Sequence, residues 1–138
     1  MNPFVWTIRV YWEDTDAGGV VYHSQYANFF ERARTEWLRS MGVNQAELAE
    51  EQNIVFAIRH MAIDFARAAK LDDQLDVTVH SVEIGGARMT FGQEMTRKRD
   101  GERIASAKLT AVCLHADSFT PARMPEWIRA GLGTETQG

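Results

Sequence analysis

The chain has 138 residues, 45% of them hydrophobic and 25% charged, with a formal net charge of −4. That length suits one domain able to bury roughly two-thirds of its unfolded surface, and the negative balance argues against a general nucleic-acid binder. The single cysteine, Cys113, excludes an intramolecular disulfide and a cysteine-based zinc cluster, and fits a cytoplasmic, reducing compartment.

The opening MNPFVW lacks the basic-then-apolar order of a secretory signal. No run approaches the ~20 apolar residues that span a bilayer, which leaves peripheral membrane association open. Phe4 to Trp12 alternates as a first strand, with Phe4, Trp6, Ile8 and Val10 on one side. Glu13-Asp14-Thr15-Asp16 then crowds three carboxylates into one turn, unfavourable unless solvent, a partner or a reaction uses them. Gly18-Gly19 lets the backbone turn sharply or approach a ligand closely. After Val20-Val21-Tyr22, the dyad His23-Ser24 precedes a helical pattern, and Ser24 is the better N-cap.

From Tyr26 to Met41 the apolar residues Tyr26, Phe29, Phe30, Ala33, Trp37 and Met41 recur at helical steps, and Gly42 ends the helix. Asn44 caps a short helix from Gln45 to Gln52 that carries Glu47 in its first turn. Ile54–Ile58 and Met61–Phe65 read as extended, and Leu71-Asp72-Asp73 as a polar turn. Leu75, Val77 and Val79 alternate with polar residues as a strand. Gly85-Gly86 marks a hairpin, Met89 to Met95 alternates again, and Asp100-Gly101 marks a second hairpin. Ile104 to His115 is a last long strand with apolar residues on both faces, which places it centrally. A short helix is expected at about 124–131, then a frayed tail over 132–138. One amphipathic helix cannot cover both faces of such a sheet. The sheet should therefore wrap the helix, with its remaining apolar surface covered by a second copy.

An acid on a loop facing the positive end of a helix dipole suits hydrolysis. The same residues carry a resemblance. Asp14 to His23 (DTDAGGVVYH), followed by Tyr26-x-x-x-x-Glu31-x-Ala33-Arg34, resembles the hotdog-fold acyl-CoA thioesterases of the 4-hydroxybenzoyl-CoA type. Within these it is most similar to the bacterial thioesterases associated with the Tol-Pal envelope system. Phe65–Asp73 and Val82–Gly86 extend the match.

The resemblance implies an α+β hotdog fold: a mostly antiparallel, five- to six-stranded sheet wrapped around one long helix, all in one domain over residues 1–138. It also implies a homodimer or homotetramer with active sites at the interface. The activity would be hydrolysis of acyl-CoA to a carboxylic acid and free CoA, with no metal or redox cofactor. Asp16 takes the place of the catalytic carboxylate, as general base or nucleophile, and the backbone N–H of His23 that of the oxyanion donor. The His23 side chain can alternatively orient a water, or pack. Tyr11 and Tyr22 flank the turn, more often as pocket walls than as donors. Gly19 and Val20 would lie against the substrate. Glu31 and Arg34 suit support of the active-site loop, through an ion pair at three-residue spacing.

Arg59, Arg67, Lys70, Arg88 and the Arg97-Lys98-Arg99 cluster are candidates for the CoA phosphates, although any one of them is more often simply solvated. Ala68 stands where a Pro is usual in the family and Arg88 where a Ser or Thr is common. Ser24 lacks a nucleophile-elbow setting. Cys113 reads as a buried structural thiol, and histidines 23, 60, 80 and 115 lack metal-ligand spacing. Two other readings keep the fold: a thioesterase acting on acyl carrier protein, with the basic residues as docking face, and a non-catalytic binder of acyl thioesters or envelope partners.

Overall fold

The computed structural model describes residues 3–135. In chain order it contains β1 (Phe4–Arg9), a 3-10 turn (Trp12–Asp14), α1 (Gln25–Ser40), α2 (Gln45–Gln52), β2 (Ile54–Phe65), β3 (Gln74–Ile84), β4 (Arg88–Arg97), β5 (Arg103–His115) and α3 (Glu126–Glu135). The five strands form one antiparallel sheet in the order β1-β3-β4-β5-β2. This is the expected hotdog arrangement, with five strands. None of the described helices is long and apolar enough to cross a membrane.

Cross-strand register explains which residues face the helix. Trp6 pairs with Val77, Val77 with Met95, Met95 with Ala105 and Ala105 with Phe65, so one row of apolar side chains crosses the whole sheet. Two residues along, Gln93 pairs with Ala107 in the same inward register. Against this face α1 buries Tyr26, Phe29, Phe30, Ala33, Trp37 and Leu38. Met41, expected in the stripe, is only half-buried. Gly42, at φ +84°, ends the helix as expected, and the Asn44 side chain accepts the Glu47 N–H at 3.1 Å.

Several expectations need correction. Ser24 has helical dihedrals and makes no side-chain cap; instead the Tyr22 carbonyl accepts the Gln25 N–H at 2.8 Å. β4, not β5, is the central strand, and β5 lies between β4 and β2. The outward positions of β5 include Ser106, Lys108 and Thr110, opposite Glu94, Gly92 and Thr90. The middle of its outer face is thus polar, and the outward apolar residues are confined to Val112 and Leu114 near its end. The unburied apolar surface lies elsewhere. α1 packs over β1 and β3, so part of the inward side of edge strand β2 stays open: Ile58, Met61 and Phe65 are 41%, 39% and 54% exposed. The last helix begins after Pro125, whose carbonyl accepts from Ile128 and Arg129, and runs to Glu135 rather than fraying after 131. The expected tail beyond 135 lies outside the described residues.

Candidate active site

The acidic turn is a small structure locked to itself. Thr15 and Val21 form an antiparallel bridge, the Asp16 N–H donates to the Val20 carbonyl at 2.9 Å, and the Gly19 N–H donates to the Asp16 carbonyl at 3.0 Å. Gly19 sits at φ +78°, a conformation that disfavours any side chain. The Asp16 carboxylate is exposed, and one of its oxygens accepts the Gly18 N–H at 2.8 Å. Gly18 has little room for anything larger: a Cβ there would lie 3.3 Å from that oxygen. Immediately past the bridge, Tyr22 and His23 stack with ring centroids 4.5 Å apart, and His23 and Ser24 turn into α1. Asp16, Gly19, Val20, Tyr22 and His23 therefore share one loop leading into the positive end of the 16-residue α1. Tyr11 is exposed with Trp12 in a separate open cleft lined by Glu13, Leu71 and Asp72.

A strap from residue 66 to residue 73 holds this loop from outside. The Ala69 carbonyl accepts the Val21 N–H at 2.8 Å, Lys70 bridges Val20, and the Leu71 N–H donates to the Gly19 carbonyl. The strap is anchored to α1 by the hydroxyl of buried Tyr26, which accepts the Ala69 N–H at 3.1 Å. Burial pushes the Tyr26 hydroxyl above its ordinary pKa; the Ala69 bond opposes this, and the charges of Asp16 and Asp73 add to it. The Asp16 carboxylate thus lies within electrostatic reach of the helix's first buried ring. From β4, Arg97 reaches the Asp73 carboxylate at 3.5 Å, and Asp73 in turn accepts the Lys70 N–H at 3.0 Å.

Asp14, two residues before Asp16, has the opposite environment. It is buried, and its two carboxylate oxygens accept the Tyr11 N–H and the Gln25 side-chain amide, each at 2.8 Å. Gln93 was likewise not singled out from the sequence. Fully buried, it donates to the Phe30 carbonyl and accepts from Arg34, both at 3.1 Å. Arg34 therefore spends its contact on Gln93 rather than on a close pair with Glu31. Burial holds the Arg34 guanidinium below its ordinary pKa, with the Glu31 charge opposing the shift. The only sequence signal for Gln93 is a polar residue at an inward position of an alternating strand.

The basic candidates separate into groups. Lys70 bridges Val20 of the Asp16 loop, and Arg67, earlier on the strap, is paired to Glu102 at 2.9 Å. Arg97 is taken by Asp73 and Asp100, Lys98 lies 3.8 Å from Asp76, and Arg99 lies 4.0 Å from Asp100. Arg59 occupies a bulge in β2, and Arg88 begins β4 opposite Val112. Both are exposed, toward the other end of the sheet from the Asp16 loop. Cys113 is buried, which raises its thiol pKa.

An acid at a locked turn, with the start of a long helix next to it, can activate a nucleophile and receive a developing oxyanion on backbone N–H groups. Comparison with known proteins points the same way. Residues 10–132 match the model of the thioesterase-like superfamily. The chain is 43% identical over 131 residues to the acyl-CoA thioesterase YbgC of Haemophilus influenzae, covering 95% of each. Among solved structures, a probable thioesterase from Bartonella henselae superposes with a TM-score of 0.83 at 35% identity, covering 90% of this chain and all of that one. A 1,4-dihydroxy-2-naphthoyl-CoA thioesterase from Synechocystis gives 0.88 over 96% of each chain; its 23% identity speaks to the fold alone.

Proposed function

This chain belongs to the thioesterase-like superfamily and is a thioester hydrolase, and we propose that it converts acyl-CoA and water into a carboxylic acid and free CoA through Asp16. The observation that carries this reading is the placement of Asp16 on a hydrogen-bonded loop that runs directly into the start of α1. In the reaction, a water deprotonated by Asp16, or the Asp16 carboxylate itself, attacks the thioester carbonyl. The oxyanion that forms accepts a hydrogen bond from the His23 N–H. The C–S bond then breaks, and the sulfur leaves as the thiol after taking up a proton. Where Asp16 is the nucleophile, water afterwards hydrolyses the resulting anhydride. Gly19 and Val20 present backbone to the substrate, while Tyr11 and Tyr22 wall the approach. Arg34 supports the helix through Gln93, and the Glu31 charge supports the Arg34 guanidinium. No metal or redox cofactor takes part.

The open β2 edge supports a homo-oligomer. A 12-residue edge strand with exposed Ile58, Met61 and Phe65 is a template for pairing with a second chain. Antiparallel pairing of two β2 edges would bring the partner's far end, with its bulge and β4 start, toward the Asp16 end of the first chain. Arg59 and Arg88 would thereby join Lys70 and Arg67 as phosphate contacts. The resemblance to Tol-Pal-associated thioesterases adds a proposed cytoplasmic role in envelope maintenance.

The test is free-thiol release from acyl-CoAs of graded chain length, beside the same acyl groups on acyl carrier protein. Turnover of the CoA esters supports the reading, and the length profile names the substrate class. Release from acyl carrier protein alone moves the substrate to that protein, and release from neither overturns the reading.

A further inference from the structure

The mechanism above leaves Asp14 without a role, yet Asp14 is the one acidic or basic side chain buried among the described residues. A buried carboxylate is costly unless hydrogen bonds satisfy it, and here both oxygens are used. One accepts the Tyr11 N–H just past the end of β1, and the other accepts the Gln25 amide in the first turn of α1. The Asp14 backbone adds a third tie, its carbonyl accepting the Tyr22 N–H at 3.0 Å. One residue thus joins three segments: the strand end, the return limb of the acidic loop, and the helix. Asp16 follows two positions later, and the His23 N–H lies between Tyr22 and Gln25.

We infer that Asp14 is a positioning residue for the hydrolysis, its buried carboxylate fixing the separation between Asp16 and the His23 end of α1. The inference rests on the reading of Asp16 given above. Hydrolysis depends on that separation, because a misplacement of about 1 Å costs about 10²-fold in rate. Asp14→Ala therefore lowers kcat by about 10²-fold and leaves KM within about threefold, since only the transition state requires the aligned pair. Asp14→Asn recovers about tenfold of that loss. Its oxygen still accepts from Tyr11, and its amide meets a Gln25 side chain that can turn over, releasing the exposed bond from Asn28. The cost is about one hydrogen bond, or about tenfold in rate.

The experiment is a double-mutant cycle, with kcat and KM measured for Asp14→Ala, Asp14→Asn, Asp16→Asn and both double variants. Positioning predicts non-additivity: once the Asp16 carboxylate is gone, changing Asp14 alters the residual rate by less than about threefold. Losses that multiply in the Asp16→Asn background, a rise in KM in place of a fall in kcat, or wild-type kcat in Asp14→Ala would each overturn the inference. If Asp14→Ala does not fold, Asp14→Asn and Gln25→Ala each remove one contact and carry the same cycle. Full activity in Asp16→Asn alone would instead overturn the reading on which the inference rests.

Discussion

Replacing Tyr26 by Phe isolates one bond between the helix and the strap that holds the acidic loop. The Phe ring keeps the packing of Tyr26, including its edge-on contact with Phe65 at 5.2 Å between centroids. What disappears is the acceptor for the Ala69 N–H, and Ala69 is fully buried, so that donor is left orphaned. A buried donor stranded in this way costs about 1–3 kcal/mol. Unfolding entropy near the midpoint is about 2.1 cal/mol/K per residue. Over 138 residues that amounts to about 0.29 kcal/mol/K, so Tm should fall by about 3–10 °C. Thermal and urea unfolding at fixed protein concentration measure it, since association would also shift the midpoint. Tyr22→Phe is the control: its ring is half exposed, and its loss should stay within about 0.5 kcal/mol. Equal midpoints for Tyr26→Phe and the control would refute the claim that this hydroxyl anchors the strap.

The two loop glycines should separate stability from rate. Gly19→Ala forces a side chain into φ +78° and should cost about 1–2 kcal/mol of folding stability. Gly18→Ala instead places a Cβ 3.3 Å from an Asp16 oxygen; unfolding and thiol-release assays should show a several-fold lower kcat with stability changed by less than about 0.5 kcal/mol. Burial raises both Cys113 and Tyr26 above their ordinary values of 9.0 and 10.0. The unfolded chain therefore gives up these protons first, so their contribution is intact below pH 9 and is lost as pH rises through the folded values. Urea midpoints between pH 8 and 11 should fall, less steeply in Tyr26→Phe. Met61→Lys puts a charge on the open β2 edge and should shift sedimentation toward the single chain.

Much of the fold was legible because local chemistry and tertiary structure agree. Asp100-Gly101 reads as a hairpin, and Gly101 takes φ +71° there. The apolar stripe of α1 and the Asn44 cap follow from spacing and side-chain type alone. The failures share a cause, since each depends on a residue distant in sequence. Asp14 and Asp16 look alike in a run of acids, and only the return of Tyr22 and Gln25 buries the first and leaves the second exposed. Ser24 looked like a cap, but the Tyr22 carbonyl receives the Gln25 N–H instead. Apolar residues on both faces of β5 suggested the middle of the sheet, whereas the outward ones, Val112 and Leu114, sit near its end, past the polar Ser106, Lys108 and Thr110. The charge of the basic candidates was visible in sequence. Their partners, such as Asp73 for Arg97, were set by the register of the sheet.

The central claim is that the Asp16 carboxylate drives thioester hydrolysis. Its most direct test is kcat for Asp16→Asn on the acyl-CoA that the wild type turns over fastest, with unfolding curves showing both proteins equally folded. Asn keeps the size of the side chain and an oxygen for the Gly18 N–H, so only the acid function is removed. A fall of about 10²–10⁴-fold is the predicted result. A variant that hydrolyses at the wild-type rate would contradict the account.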